Sequence, residues 1–261
     1  MAVQNGQENV IEYLINHGAD VEKATADGHT PLHLAASLGR LKATKFVLCH
    51  GANVGREDKD GFFKELSQGA KVNKGDKYRM TALHLAAQNG HLNVTTYLLI
   101  QGAEVNKGDN VGATALHRNA QNGRLDITEY LISQGAKVNE GDINDLKDIH
   151  LAIQLAIQHG HTSIIEKLVS EGADLNIQST DGQTSLHKAI KLCNKSEEII
   201  QGTDTLKDIS DEYYKGELSP EKALVFYLLE NGAKLDVKDK AGNLPIQYAK
   251  DEEIKQMILS R

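Results

Sequence analysis

The chain has 261 residues, of which 40% are hydrophobic and 25% charged, and this composition excludes disorder along its whole length. Its net charge of −7 disfavours a nucleic-acid partner, since such binding calls for a basic surface. Two cysteines are too few for a disulfide framework, which favours a reducing compartment. The N-terminus has no signal-peptide pattern, and no apolar run reaches the roughly 20 residues that cross a bilayer.

A repeat of about 33 residues runs along the chain and is marked by the dipeptide Gly-Ala. Its glycines are Gly18, Gly51, Gly69, Gly102, Gly135, Gly172 and Gly232. Three of the six intervals have this length, one is shorter and two are longer, which corresponds to one deletion and two insertions. Such a period indicates stacked layers, each of which needs its neighbours to bury its apolar face.

Residues 76–108 show the elements of one unit in order. Thr81 is expected to cap a short helix over 82–89, which ends at Gly90. A second helix over 92–101 carries apolar residues at helical spacing and ends at Gly102. An extended stretch then leads to a turn at 107–109. The chain's three prolines stand where the first residue of a helix is expected, at Pro31, Pro220 and Pro245.

One histidine recurs in most units, after a leucine or isoleucine. These histidines are His33, His84, His117, His150 and His187. Each unit supplies only one of them, whereas a metal site needs three or four ligands that converge on one point, so we expect no metal. Cys49 has no neighbouring base at a spacing that would activate it as a nucleophile, so the sequence offers no catalytic residues and no cofactor site.

Two segments identify a resemblance. DGHTPLHLAASLGR at 27–40 and TALHLAAQNGHLNVTTYLLIQGAEVN at 81–106 resemble the ankyrin repeat, and the resemblance covers nearly the whole chain. It implies an all-α solenoid of helix–turn–helix units with β-hairpin fingers that binds proteins on its concave face, and a histidine that holds each turn by hydrogen bonds. We expect one domain of about eight units, at 1–24, 25–57, 58–75, 76–108, 109–141, 142–178, 179–238 and 239–261.

Four units depart from the pattern. The first lacks its opening half, which suggests a fragment of a longer array. The unit at 58–75 lacks its first helix. Either this half-repeat bulges as a loop and its neighbours restack, or the loss is a splice or gene-model event, which is the interpretation that we slightly prefer. In both cases we expect a kink or weak point near 58–76. The unit at 142–178 has four extra residues, which predict a longer first helix starting at His150.

The seventh unit carries an insertion at 193–219, with seven acidic residues and three lysines. It is either a solvated loop with some local helix or a docking element.

In the ankyrin family, variable positions on the fingers and first helices select the partner. Here these positions are Lys77, Tyr78, Met80, Gln88, Asn89, Asn110, Val111, Ala113, Arg118, Gln121, Asn122, Ile143, Asn144 and Leu146. Arg118 replaces an apolar residue of the first helix, and we expect it to point into the groove, because an unpaired arginine in a thin apolar layer would be costly.

Two asparagines resemble the sites that an asparaginyl hydroxylase modifies in ankyrin repeats. They are Asn106 and Asn176, each of which lies eight residues after a leucine. The alternative, which we favour, is that each asparagine only bonds to the backbone at its turn.

We therefore predict a non-catalytic protein–protein interaction module, a cytoplasmic monomer without membrane insertion, within a larger scaffold, adaptor or signalling protein. The alternative is a regulatory or targeting segment of a multidomain enzyme, channel or receptor.

Overall fold

A computed structural model describes residues 2–3, 5–50, 71–139, 152–195, 200 and 202–260. These residues form helices and turns and contain no β-strand. The helices are α1 (Glu8–Asn16), α2 (Pro31–Ser37), α3 (Leu41–His50), α4 (Ala82–Gln88), α5 (Leu92–Ile100), α6 (Ala115–Asn122), α7 (Leu125–Ser133), α8 (Ala152–His159), α9 (Thr162–Ser170), α10 (Ser185–Cys193), α11 (Asp204–Tyr214), α12 (Pro220–Glu230) and α13 (Glu252–Leu259), with a 3₁₀ helix at Pro245–Tyr248. Two compact units result, one of residues 1–119 and 133–136 and one of 120–132 and 137–261.

Four of the first helices begin at a threonine–histidine cap. At α4, the imidazole Nδ1 of His84 accepts the backbone N–H of Thr81 at 3.1 Å and its hydroxyl at 2.8 Å. The same cap starts α2, α6 and α10. It satisfies a backbone donor at the helix end, and so it explains why helices of only seven to nine residues begin at fixed positions.

The second helix of each repeat is anchored by its apolar face. In α5, Val94 and Leu98 are buried and Ile100 is exposed. The helix ends where Gly102 adopts a left-handed φ of 85° and the amide of Ala103 bonds back to the carbonyl of Leu98 at 3.0 Å. The three prolines begin α2, α12 and the 3₁₀ helix, as predicted.

In the compact unit of residues 1–119 and 133–136, α2 packs directly against α4. The imidazole of His33 donates to the carbonyl of Met80 at 2.9 Å, the same bond that His84 makes to Ala113. Repeats on the two sides of the shortened segment therefore stack on each other, the arrangement that the restacking interpretation requires. Most of the shortened unit at 58–75, and with it most of the expected kink or weak point, lies outside the described residues, which resume at residue 71.

In the compact unit of residues 120–132 and 137–261, helix α8 is described from Ala152 and has eight residues, as α6 has. His150, where the sequence predicts that the longer first helix starts, lies outside the described residues. Gln154 occupies the position of the cap histidine, and its side-chain amide donates to the carbonyls of Ile177 at 2.9 Å and Gln183 at 3.3 Å. A glutamine amide thus makes the link to the next repeat that an imidazole makes elsewhere.

Part of the insertion at 193–219 is a helix of eleven residues, α11, which packs on α12. Leu206 is buried, and the ring of Tyr213 lies 4.8 Å from that of Phe226, centroid to centroid. The hydroxyl of Ser210 donates to the carbonyl of Leu218 and accepts its amide, which closes the segment back onto the start of α12. The described part of the insertion thus contains local helix, as the first interpretation allowed, and this helix packs on α12.

Candidate partner-binding face

The turn before each first helix is called a finger below, and the fingers at 76–81 and 109–114 are each closed by one acidic side chain. In the finger at 76–81, Asp76 Oδ1 accepts the amides of Tyr78 at 2.8 Å and Met80 at 2.9 Å. In the finger at 109–114, Asp109 Oδ1 accepts those of Val111 at 2.9 Å and Ala113 at 3.0 Å. Because both carboxylates are buried, each holds its finger in one conformation.

Neighbouring fingers within residues 1–119 form hydrogen bonds to each other at their tips. The amide of Lys77 donates to the carbonyl of Asp27 at 3.1 Å, and the amide of Asn110 donates to that of Tyr78 at 2.8 Å. These bonds join the fingers at 25–30, 76–81 and 109–114 into one continuous edge. The edge brings together six of the predicted residues, Lys77, Tyr78, Met80, Asn110, Val111 and Ala113.

The edge exposes apolar groups. Tyr78 is 49% exposed and Val111 is 44% exposed, at the same position of adjacent fingers. The Lys77 ammonium lies 4.9 Å from the centre of the Tyr78 ring and forms an ion pair with Asp27. At the end of α4, Gln88 is half-buried, and the exposed Asn89 donates to the hydroxyl of Ser37 at 3.2 Å. Asn89 therefore also links two repeats.

Arg118 forms an ion pair within its own repeat, which the sequence analysis did not foresee. Its Nε donates to Asp109 Oδ2 at 2.9 Å and its Nη2 contacts the same oxygen. The guanidinium thus supports the carboxylate that shapes the finger at 109–114. The adjacent Asn119 is fully buried.

The other predicted residues lie elsewhere. Gln121 and Asn122 end α6 and belong to the second unit, where the carbonyl of Gln121 accepts a hydrogen bond from His161 Nε2 at 3.2 Å. Ile143, Asn144 and Leu146 lie outside the described residues.

Sequence reasoning missed Arg79. It lies between Tyr78 and Met80 with a left-handed φ of 60°, at a position that is glycine in the other described fingers. The absence of that glycine was the available signal.

The two candidate hydroxylation sites are asparagines that each bond to the next repeat of their own compact unit. Asn106 donates to the carbonyl of Gly135 at 2.9 Å, and Asn176 donates to that of Gly232 at 3.0 Å. The side-chain oxygen of Asn176 also accepts the amide of Lys234 at 2.7 Å. The bonds reach the next repeat rather than each residue's own turn, a role that the sequence interpretation did not foresee.

Comparison with known proteins decides the family. A family model described as ankyrin repeats in three copies matches residues 1–58 and 59–142, and a single ankyrin repeat matches 149–180. The chain belongs to the ankyrin repeat family. The solved ankyrin repeat domain of Bcl-3, a member of the IkappaB family, superposes with a TM-score of 0.71 at 20% identity, over 99% of this chain and 96% of that one. This likeness confirms the all-α ankyrin solenoid fold.

Two further relatives are similar over shorter stretches. Human ankyrin repeat domain-containing protein 13B is 49% identical over 43 residues, or 16% of this chain. The human transient receptor potential cation channel subfamily A member 1 is 31% identical over 98 residues, or 38% of this chain. Each match spans 7% of the relative's own length.

Ankyrin repeats are protein-interaction modules. In the described ankyrin repeats, no group of three or more histidine, cysteine or acidic side chains is arranged to hold a metal ion. Among the same residues, no helix has the length and apolarity that crossing a membrane requires.

Proposed function

We propose that this ankyrin domain is a non-catalytic module that binds a partner protein on the edge formed by the fingers at 25–30, 76–81 and 109–114 and on the adjoining first helices. The observation that carries the proposal is that Tyr78 and Val111, two exposed apolar side chains, occupy the same position on two fingers that are hydrogen-bonded to each other. Exposed aromatic residues at such positions commonly supply much of the energy of a protein interface.

Rigidity of the fingers supports the same conclusion. Asp76 and Asp109 fix the two tips through buried hydrogen bonds, so little conformational entropy remains to be lost when a partner binds. The edge is thus preorganised, whereas a mobile loop with the same residues would have to be ordered first.

We further propose that the module works within a larger intracellular scaffold, adaptor or signalling protein, as a monomer. Its two cysteines are free, which fits a reducing compartment such as the cytoplasm. The similarity to a cation channel favours the second candidate, a regulatory or targeting segment of a channel, receptor or multidomain enzyme.

The test is quantitative affinity capture from a cell lysate. We would compare the intact chain with a variant that combines Tyr78→Ala and Val111→Ala. The matched control combines Tyr13→Ala and Ile100→Ala, which removes exposed apolar groups from α1 and α5. Binding lost only in the finger variant supports the proposal. Binding kept in the finger variant but lost in the control would place the interface on the second helices.

The insertion offers a second surface, which the same experiment can test. An open groove of about 1050 Å³ runs between α9 and the start of α11. Its lining includes Glu166, whose carboxylate accepts from the hydroxyl of Thr203, and also Lys167 and Tyr227. Replacement of 193–219 by a short turn should leave partner capture unchanged. Loss of the partner only in that variant would assign docking to the insertion.

A further inference from the structure

The finger at 76–81 is built on a residue that its backbone does not favour. Arg79 has a φ of 60°, whereas the same position of the other described fingers is glycine, with φ between 77° and 82°. These glycines are Gly28, Gly112, Gly182 and Gly242. A left-handed conformation is costly for a residue with a Cβ and is adopted freely by glycine. Backbone strain of this kind is often found at functional sites.

In two of the other described fingers the position is also crowded. A Cβ added to Gly28 would lie 2.7 Å from the amide nitrogen of Lys77 in the next finger, and one added to Gly182 would lie 2.5 Å from that of Lys240. Glycine therefore suits this position in both conformation and space. Since glycine suits the backbone here and the Arg79 side chain makes no hydrogen bond or ion pair to a described residue, we look for its role in binding.

The side chain of Arg79 faces solvent without a partner. It is exposed and makes no ion pair or side-chain hydrogen bond to any described residue. The nearby acidic groups are already engaged, because Asp27 pairs with Lys77, and the buried Asp76 accepts two backbone amides and contacts His29 at 3.0 Å. The exposed charges at this tip are therefore two positive and one negative.

Apolar surface lies on the same edge. Tyr78, 49% exposed, precedes Arg79, and Val111 occupies the position of Tyr78 on the next finger. A guanidinium beside apolar surface is suited to a carboxylate, which it can bind through two parallel hydrogen bonds that the low local polarity strengthens.

We propose that Arg79 determines specificity for a partner segment that carries an aspartate or glutamate next to an apolar residue. The carboxylate binds the Arg79 guanidinium, and the apolar residue packs on Tyr78 and Val111. The inference rests on the proposed function, and it adds the chemistry of the partner.

The test begins with selection of random twelve-residue peptides displayed on phage, with the wild-type chain and the Arg79→Gly variant as baits. Peptides selected by the wild type should be enriched in acidic residues beside apolar ones, and the variant should not select them. The affinity of the best peptide, measured by fluorescence polarisation, should fall at least tenfold in Arg79→Gly. It should fall less in Arg79→Lys, which keeps the positive charge but lacks the guanidinium that forms two parallel hydrogen bonds.

Two controls separate binding from folding. Arg79→Gly should unfold at the same or a higher temperature than the wild type, because glycine relieves the strained φ. Lys45→Ala, which removes one exposed positive charge from α3, should bind the peptide within twofold of the wild type.

Selected peptides without acidic residues, or equal affinity for the Arg79→Gly variant, would overturn the inference. If those peptides still depend on Tyr78 and Val111, the proposed binding edge stands and only the role of Arg79 fails. If the wild type selects no peptide and the Tyr78 and Val111 variant captures its partners normally, both proposals fail.

Discussion

The imidazole of His84 joins two repeats, because its Nε2 donates to the carbonyl oxygen of Ala113 at 2.9 Å. Its Nδ1 accepts the amide and the hydroxyl of Thr81, so the ring is neutral with its proton on Nε2. A second proton on Nδ1 would break both bonds to Thr81. Burial lowers the pKa of His84 below its ordinary value of 6.5, an effect that the nearby Asp109 carboxylate opposes.

We predict that the domain loses stability as the pH falls below about 6.5. In that range the unfolded chain takes up protons on histidine, whereas the buried imidazoles resist them. The stability that they contribute is therefore present above the unfolded pKa and is lost as the pH falls towards the folded one. Burial lowers the pKa of His33 and His187 in the same way. The measurement is the free energy of urea unfolding between about pH 7.5 and 5.5.

His84→Gln should reduce this pH dependence. Gln154 already replaces the cap histidine in the sixth repeat and bonds to Gln183 of the next repeat without a titratable group. The variant should fold, and its free energy of unfolding should change less with pH than that of the wild type. An unchanged slope would mean that His84 does not contribute to the acid sensitivity.

The asparagines that bond to the next repeat should contribute measurably to the stacking of the repeats. Asn139 donates to the carbonyl of Gly172 at 2.9 Å and accepts the amide of Asp174 at 2.7 Å. Asn139→Ala removes both bonds, and we expect the free energy of unfolding to fall by about 1–2 kcal/mol, a modest amount because the site is open to water. Asn110→Ala is the control, since that exposed side chain makes no hydrogen bond to a described residue, and it should change stability by less than about 0.5 kcal/mol. Equal changes in the free energy of unfolding for the two substitutions would contradict a structural role for Asn139.

Arg118→Leu should destabilise the domain by about 1–3 kcal/mol, since it leaves the fully buried Asp109 carboxylate without its cation. Combined with Asp109→Asn, the loss should be smaller than the sum of the two single losses. A double-mutant cycle measures that coupling. Coupling below about 0.5 kcal/mol would show that the pair is weak and would leave Arg118 available to a partner.

The repeat positions were predictable because their determinants are local. A threonine cap, a stop glycine and a regular period can be read directly from the sequence, and the structure places α4 and α5 within one residue of the expected bounds. The register of the sixth repeat was misread because an Ile-His pair at 149–150 resembles the cap motif, while Gln154 makes the actual contact. That assignment depends on a carbonyl in the next repeat, which no local pattern reveals.

The candidate site was predictable in position but not in chemistry. Tyr78 and Val111 follow from the repeat alignment, and their exposure follows from the turn. The ion pair between Arg118 and Asp109 does not follow from the alignment. Asp109 lies nine residues earlier, on the other side of a turn, and helical periodicity does not relate the two residues. Arg79 could have been found, since each of the other described fingers has glycine there.

The two cysteines should differ sharply in reactivity. Cys49 is exposed, with its Sγ 3.3 Å from the Tyr97 hydroxyl. Burial, together with the charge of Glu221, raises the pKa of Cys193 to about 12. Its reactive thiolate is then about one molecule in ten thousand at pH 8. We predict that a disulfide reagent such as dithionitrobenzoate labels one thiol of the folded protein quickly and the half-buried Cys193 far more slowly. Cys49→Ser should remove the fast phase and leave the slow one. A fast phase that persists in Cys49→Ser would mean that Cys193 forms its thiolate readily, which would contradict its raised pKa.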